Sequence, residues 1–186
     1  MTLPRTVVFD LDGTLVDTAP DLIAALNFTL DREGVPPVPL KSARNMIGAG
    51  ARKLIERGLE LEGRMMSVAD VNRLMKNFID YYAAHIADAS RPFEGLEAAL
   101  DQLAAQGCRF AVCTNKLEWL SKRLLDQLGL SGRFSAICGA DTSASPSRTP
   151  SPCSRRWRGR AAIWRRPSWW ATPALTSASR GGPAFP

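Results

Sequence analysis

The sequence predicts an α/β fold: a parallel sheet with a block of helices inserted after its first strand. Three observations lead there. Short apolar runs at Thr6–Leu11, Arg109–Cys113 and Phe134–Cys138 have the length and continuity of buried strands. Between them, apolar residues recur at helical spacing. The order is strand, a block of helices, helix, strand, helix, strand, which is the pattern of a parallel sheet with crossover helices.

Each element follows from its residues. The run from Thr6 is broken by Asp10 and stopped by Asp12-Gly13, so the first strand ends in a loop. Asp21 to Arg32 carries Leu22, Ala25, Leu26, Thr29 and Leu30 on one helical face, and Gly34 with Pro36-Pro37-Pro39 ends it. Ser42 to Leu61 divides into two helical pieces at Gly48-Ala49-Gly50. Val68 to Ala87 is a longer helix with Val71, Leu74, Met75, Phe78, Ile79 and Tyr82 on one side. Arg91-Pro92 interrupts the helical stretch. A stripe of Leu96, Ala99, Leu100, Leu103 and Ala104 follows and ends at Gly107. Thr114-Asn115-Lys116 follows the second strand. Leu117, Leu120, Leu124 and Leu128 then mark a helix that stops at Gly129.

Composition changes abruptly near the end. All 18 acidic residues lie at or before Asp141. From Ser143 to Pro186 there are eight Arg, no Lys, seven of the 13 Pro and four of the five Trp. Residues 1–142 hold 16 Lys plus Arg against those 18 acids, so the net charge of +6 belongs to residues 143–186 alone. Reading each codon as the last base of one triplet and the first two of the next turns Trp169-Trp170-Ala171 into Val-Gly. The same shift permits K-P-D-P at Pro146 to Pro150. We therefore expect 143–186 to be read out of frame and disordered. Arg155-Arg156-Trp157-Arg158 and Trp164-Arg165-Arg166 combine guanidinium groups with rings, a mix that can bind nucleic acid. The out-of-frame reading takes precedence, so no nucleic-acid partner is expected.

The four cysteines, Cys108, Cys113, Cys138 and Cys153, form no CxxC pair, which points away from zinc and disulfides. No signal-peptide pattern or membrane-spanning apolar run is found, so the expectation is a soluble cytoplasmic protein. His85 is the only histidine and lies beside Tyr81 and Tyr82. It reads as a helix-face residue, and no His-based triad is available.

Asp10-Leu11-Asp12-Gly13-Thr14 is the sharpest chemical signal. Two carboxylates at i and i+2 on an extended segment share a side, at the strand end where open α/β sheets bind ligands. Close carboxylates repel unless a cation lies between them, and oxygen ligands suit Mg²⁺. One Asp can attack phosphorus while the other handles the proton. Asp-Gly is also a common turn pair, but the apolar run before it favours the chemical reading.

The pattern D-x-D-G-T-L-x-D, here Asp10 to Asp17, resembles the haloacid dehalogenase superfamily, and among its branches the phosphoglycolate phosphatases. The resemblance implies a Rossmann-like core from residues 1–14 and 91–142, incomplete at the C-terminus, with a helical cap at 15–90. It implies Asp10 as nucleophile forming an aspartyl-phosphate, and Asp12 as general acid and then base. Mg²⁺ would be bound by the Asp10 carboxylate and the Asp12 backbone carbonyl. Thr114 would bind the phosphoryl group, assisted by Asn115. Lys116 is either a phosphate contact or a solvated charge. Gly48 and Gly50 belong either to a cap loop facing the substrate or to a plain turn. The partner would be a small phosphorylated metabolite, 2-phosphoglycolate first, or another small sugar or acid phosphate. The family also uses a later Lys and a later acid, which 143–186 lacks as written and the shifted frame permits. Little turnover is therefore expected from the chain as it stands, and an inactive truncated remnant is the competing reading.

Overall fold

The computed structural model describes residues 5–142; the expectation for residues 143–186 lies outside them. Three parallel strands form the sheet: β1 (Thr6–Phe9), β4 (Arg109–Cys113) and β5 (Ala136–Cys138), in the order β1-β4-β5. The register pairs Phe9 with Val112 and Cys113 with Cys138, so the three carboxyl ends open at one edge. The central strand buries Phe110 and Val112, while Val7, Val8 and Phe9 of β1 are only half-buried. The fully buried strand expected from its apolar run is thus a half-covered one, because β1 has a strand neighbour on one side only among the described residues.

The helical block follows β1. Its members are α1 (Ala19–Asp31), α2 (Leu40–Ala43), a 3₁₀ turn (Arg44–Met46), α3 (Ala51–Glu60) and α4 (Val68–Ala84). The division at Gly48-Ala49-Gly50 falls where the sequence places it. Helix α1 packs on α4 and α3, and α3 packs on α4. Their stripes, among them Leu26, Leu30, Ile55, Leu74 and Phe78, merge into the main hydrophobic cluster. Ser67 starts α4 by accepting a hydrogen bond from the Asp70 amide. Asn27 clamps the entry to α2: its amide donates to the Val38 carbonyl at 3.1 Å and accepts from the Val38 amide at 2.8 Å.

Two features at the root of this block are not visible as periodicity. β2 (Val16–Asp17) pairs antiparallel with β3 (Arg91–Pro92), so Arg91-Pro92 is a short strand as well as a break. Asp21, buried in the first turn of α1, accepts from the Ala89 amide at 2.9 Å, the Ser90 amide at 2.7 Å and the Ser90 hydroxyl at 2.6 Å. That carboxylate ties the entry of the block to its exit, and α4 ends at Ala84, three residues short of the periodic stretch. The remaining helices are α5 (Leu96–Ala105) and α6 (Glu118–Gln127). Helix α6 buries Leu120, Leu124 and Leu125, whereas α5 buries only Leu100 of its predicted stripe.

Candidate active site

Because the sheet is parallel, the loops after β1, β4 and β5 meet at its carboxyl edge. The first loop is tight. Thr14, Leu15 and Val16 all donate their amides to the Leu11 carbonyl, and buried Leu11, Leu15 and Val16 anchor it in the core. Gly13 turns there at φ 72°. The two aspartates on this loop have different surroundings. Asp10 is exposed; its carboxylate accepts from the Leu11 amide at 2.7 Å and forms no ion pair among the described residues. Asp12 is held at one oxygen, Oδ1, by the Thr18 hydroxyl at 2.8 Å and by Lys116 Nζ at 3.0 Å.

The second loop alternates. Thr114 and Lys116 are buried and Asn115 is exposed. The Thr114 hydroxyl accepts from the Lys116 amide at 3.3 Å, and the Thr114 amide donates to the Cys138 carbonyl. Lys116 is 7% exposed, which overturns its reading as a solvated charge. Its ammonium lies between Asp12 and the hydroxyl of Tyr82 on α4, donating to the latter at 2.6 Å. Burial on its own would lower the Lys116 pKa; the Asp12 charge and Tyr82 outweigh it and leave the group above the usual lysine range. Burial likewise raises the Tyr82 phenol, with Lys116 opposing and the Asp12 charge adding.

Asn115 points the other way and donates to the Gly48 carbonyl at 2.8 Å. Gly50, at φ 91° and ψ 160°, brings the start of α3 beside the same residue: a Cβ there would lie 3.7 Å from the Asn115 carbonyl. The loop of Gly48 and Gly50 thus touches the loop of Asn115, and both line a cavity of about 290 Å³. Asp12, Lys116 and Tyr82 share its wall, which is otherwise mostly apolar. Asp10 and Thr114 are not part of that wall.

The third loop locks onto the second. The Ala140 amide donates to the Lys116 carbonyl at 2.9 Å, and Asp141 accepts from the Glu118 amide at 2.7 Å, which satisfies an open amide at the start of α6. A Cβ on Gly139 would come within 2.2 Å of the Glu118 amide nitrogen, so only glycine fits there. His85 lies elsewhere: it caps α4, pairs with Asp88 at 2.8 Å and packs on Tyr81.

Sequence patterns bring Asp10, Asp12, Thr114, Asn115 and Lys116 to one sheet edge, and Gly48 and Gly50 across from it. They miss Thr18, Gly139 and the role of Tyr82. Tyr82 sits on an apolar helical stripe, and only its polar tip distinguishes it from its neighbours. Among the described residues no group of three or more His, Cys, Asp or Glu is placed to hold a metal ion. Asp10 Oδ2 and Asp12 Oδ2 have no hydrogen-bond or ion-pair partner among the described residues, and the Asp12 carbonyl accepts no backbone hydrogen bond there.

The sequence model for haloacid dehalogenase-like hydrolases matches residues 7–153. The chain belongs to that family. Relatives within it include the phosphoglycolate phosphatase of Caulobacter vibrioides, 50% identical over 136 residues, covering 73% of this chain and 57% of the relative. The phosphoglycolate phosphatase of Agrobacterium fabrum is 44% identical over 142 residues, covering 76% and 61%. The chain thus spans about three fifths of the length of these curated relatives. Among solved haloacid dehalogenase-like folds, a predicted phosphoglycolate phosphatase from Haemophilus somnus superposes with a TM-score of 0.68 at 26% identity, over 82% of this chain and 68% of that one. No helix among the described residues is long and apolar enough to cross a membrane.

Proposed function

We propose that this chain is built as a Mg²⁺-dependent phosphomonoester hydrolase whose frame-restored form converts 2-phosphoglycolate and water to glycolate and phosphate. One observation carries the reading. Two aspartates at the end of β1 have different surroundings: Asp10 is exposed and forms no ion pair among the described residues, and Asp12 is anchored by Thr18 and Lys116. Asp10 is the nucleophile: its carboxylate attacks phosphorus and displaces the alkoxide oxygen, forming an aspartyl-phosphate. Asp12, in its protonated form, gives a proton to that leaving oxygen and, as the carboxylate left behind, takes one from the water that cleaves the acyl phosphate. The Thr114 hydroxyl and the Asn115 amide are donors to the phosphoryl oxygens. Residues 1–14 and 91–142 form the core and 15–90 a cap that excludes water, with Gly48 and Gly50 at the contact.

The donors present fit Mg²⁺, a hard cation that keeps several waters and takes one or two carboxylates. Asp10 through its carboxylate and Asp12 through its carbonyl would hold it, and bound there it offsets phosphoryl charge. The names of the relatives in Caulobacter vibrioides and Agrobacterium fabrum support the substrate. The test compares the 186-residue chain with a form whose frame is restored by one inserted base near the codons for Thr142 and Ser143. Phosphate release from 2-phosphoglycolate is followed in Mg²⁺ and in EDTA. The frame-restored protein is expected to hydrolyse it only with Mg²⁺, and Asp10→Asn to abolish turnover. Hydrolysis that survives Asp10→Asn, or salt-sensitive DNA binding with no hydrolysis, would sink the proposal.

A further inference from the structure

We infer that Tyr82 is a positioning residue: it sets the placement of Asp12 through Lys116, and so couples the seating of the helical block to the proton-handling carboxylate. The inference rests on the phosphatase reading for its role, but its geometry stands apart from it. Tyr82 comes from α4 in the helical block and Lys116 from the loop after β4. Lys116 Nζ donates to the Tyr82 hydroxyl at 2.6 Å and lies 3.0 Å from Asp12 Oδ1. An ammonium has three donors on a flexible stem, so its direction is set by its acceptors. Here two acceptors from different parts of the fold fix it, and the Tyr82 ring, 4.3 Å from Nζ at its centroid, borders the same space.

The hydroxyl has no other partner among the hydrogen bonds of the described residues, and it sits on a residue 1% exposed. A phenol buried on an apolar stripe costs stability unless its oxygen is paired. Phenylalanine would fill the same volume at no such cost. The oxygen therefore has a use at this position that packing does not explain. That use is to hold Lys116, and with it Asp12 Oδ1, in one arrangement while α4 is seated. Moving α4 away removes one of the two acceptors and frees the ammonium to swing. Asn115, on the same loop, makes a second contact to the block through the Gly48 carbonyl, so both buried and exposed sides of the loop register its position.

The test uses Tyr82→Phe, Lys116→Met and the double variant in the full 186-residue chain labelled with ¹³C-aspartate. The Asp12 ¹³Cγ resonance is assigned by its loss in Asp12→Asn. Tyr82→Phe is expected to move that resonance, and to move it no further in the Lys116→Met background. In the frame-restored protein, Tyr82→Phe is expected to lower kcat about tenfold with KM little changed, a fraction of the 10²–10⁴ a placed general acid contributes. It should have no added effect on Lys116→Met. An Asp12 resonance that ignores Tyr82→Phe, or a shift that persists without Lys116, overturns the inference. A frame-restored wild type that hydrolyses no phosphomonoester overturns the phosphatase reading, while the resonance still decides the coupling.

Discussion

Lys116→Met tests the buried pair directly. The substitution keeps most of the side-chain volume and removes the ammonium, leaving Asp12 with only the Thr18 hydroxyl. The pair is well shielded: the side chains of Lys116 and Asp12 are 4% and 11% exposed. Removing one partner of such a pair costs about 3–5 kcal/mol, because the other charge is left uncompensated. We therefore expect Lys116→Met to lose about 3–5 kcal/mol at pH 7. Urea unfolding in EDTA measures it, with Asp12→Asn and the double variant completing a cycle. In the Asp12→Asn background the loss should fall to about 1 kcal/mol, the scale of one neutral hydrogen bond. A loss at pH 7 below about 1 kcal/mol, or one unchanged by Asp12→Asn, would refute the claim that Lys116 is held by Asp12.

Three further outcomes are expected. Asp21→Ala should cost roughly 3 kcal/mol, because it strands the amides of Ala89 and Ser90 and the Ser90 hydroxyl; faster hydrogen exchange confined to the roots of the helical block would accompany it. Gly50→Ala should cost about 1–3 kcal/mol in urea unfolding from backbone strain at φ 91° and ψ 160°, since the added Cβ meets nothing closer than the Asn115 carbonyl at 3.7 Å; a neutral result would mean the loop adopts another conformation. Above about pH 10.4, the unfolded lysine value, the stability of the wild type should fall more steeply with pH than that of Lys116→Met. The folded pKa of Lys116 is raised, so its contribution is complete below the unfolded lysine value and fades as pH rises through the folded one. Raised Tyr82 acts in the same direction above about pH 10, because the unfolded phenol loses its proton first. A parallel loss of stability with pH in the two proteins above about pH 10.4 would contradict this.

Much of the site was legible because its signals are local. Asp10 and Asp12 stand two residues apart at the end of an apolar run, and a strand end needs no distant partner to be recognised. Thr114, Asn115 and Lys116 stand after a second such run, and the parallel order of strands brings both ends together. The helical division at Gly48 to Gly50 was equally plain, because no long apolar stripe crosses it. Lys116 is different. Its side chain is among the most soluble in the alphabet, and nothing in Thr114-Asn115-Lys116 tells whether it meets water, phosphate or a carboxylate.

The sequence alone determined the fold class, the order of elements and the two carboxylates at a strand end, since hydrophobic periodicity and turn residues act over a few neighbours. Only the tertiary structure decided which of those carboxylates is paired. It closed the helical block through Asp21 and the short β2–β3 pair, set Asn115 against Gly48, and placed Tyr82 over Lys116. These contacts join residues 34 to 104 positions apart. Their geometry depends on how the helical block seats on the loops of the sheet edge, which no window of sequence contains.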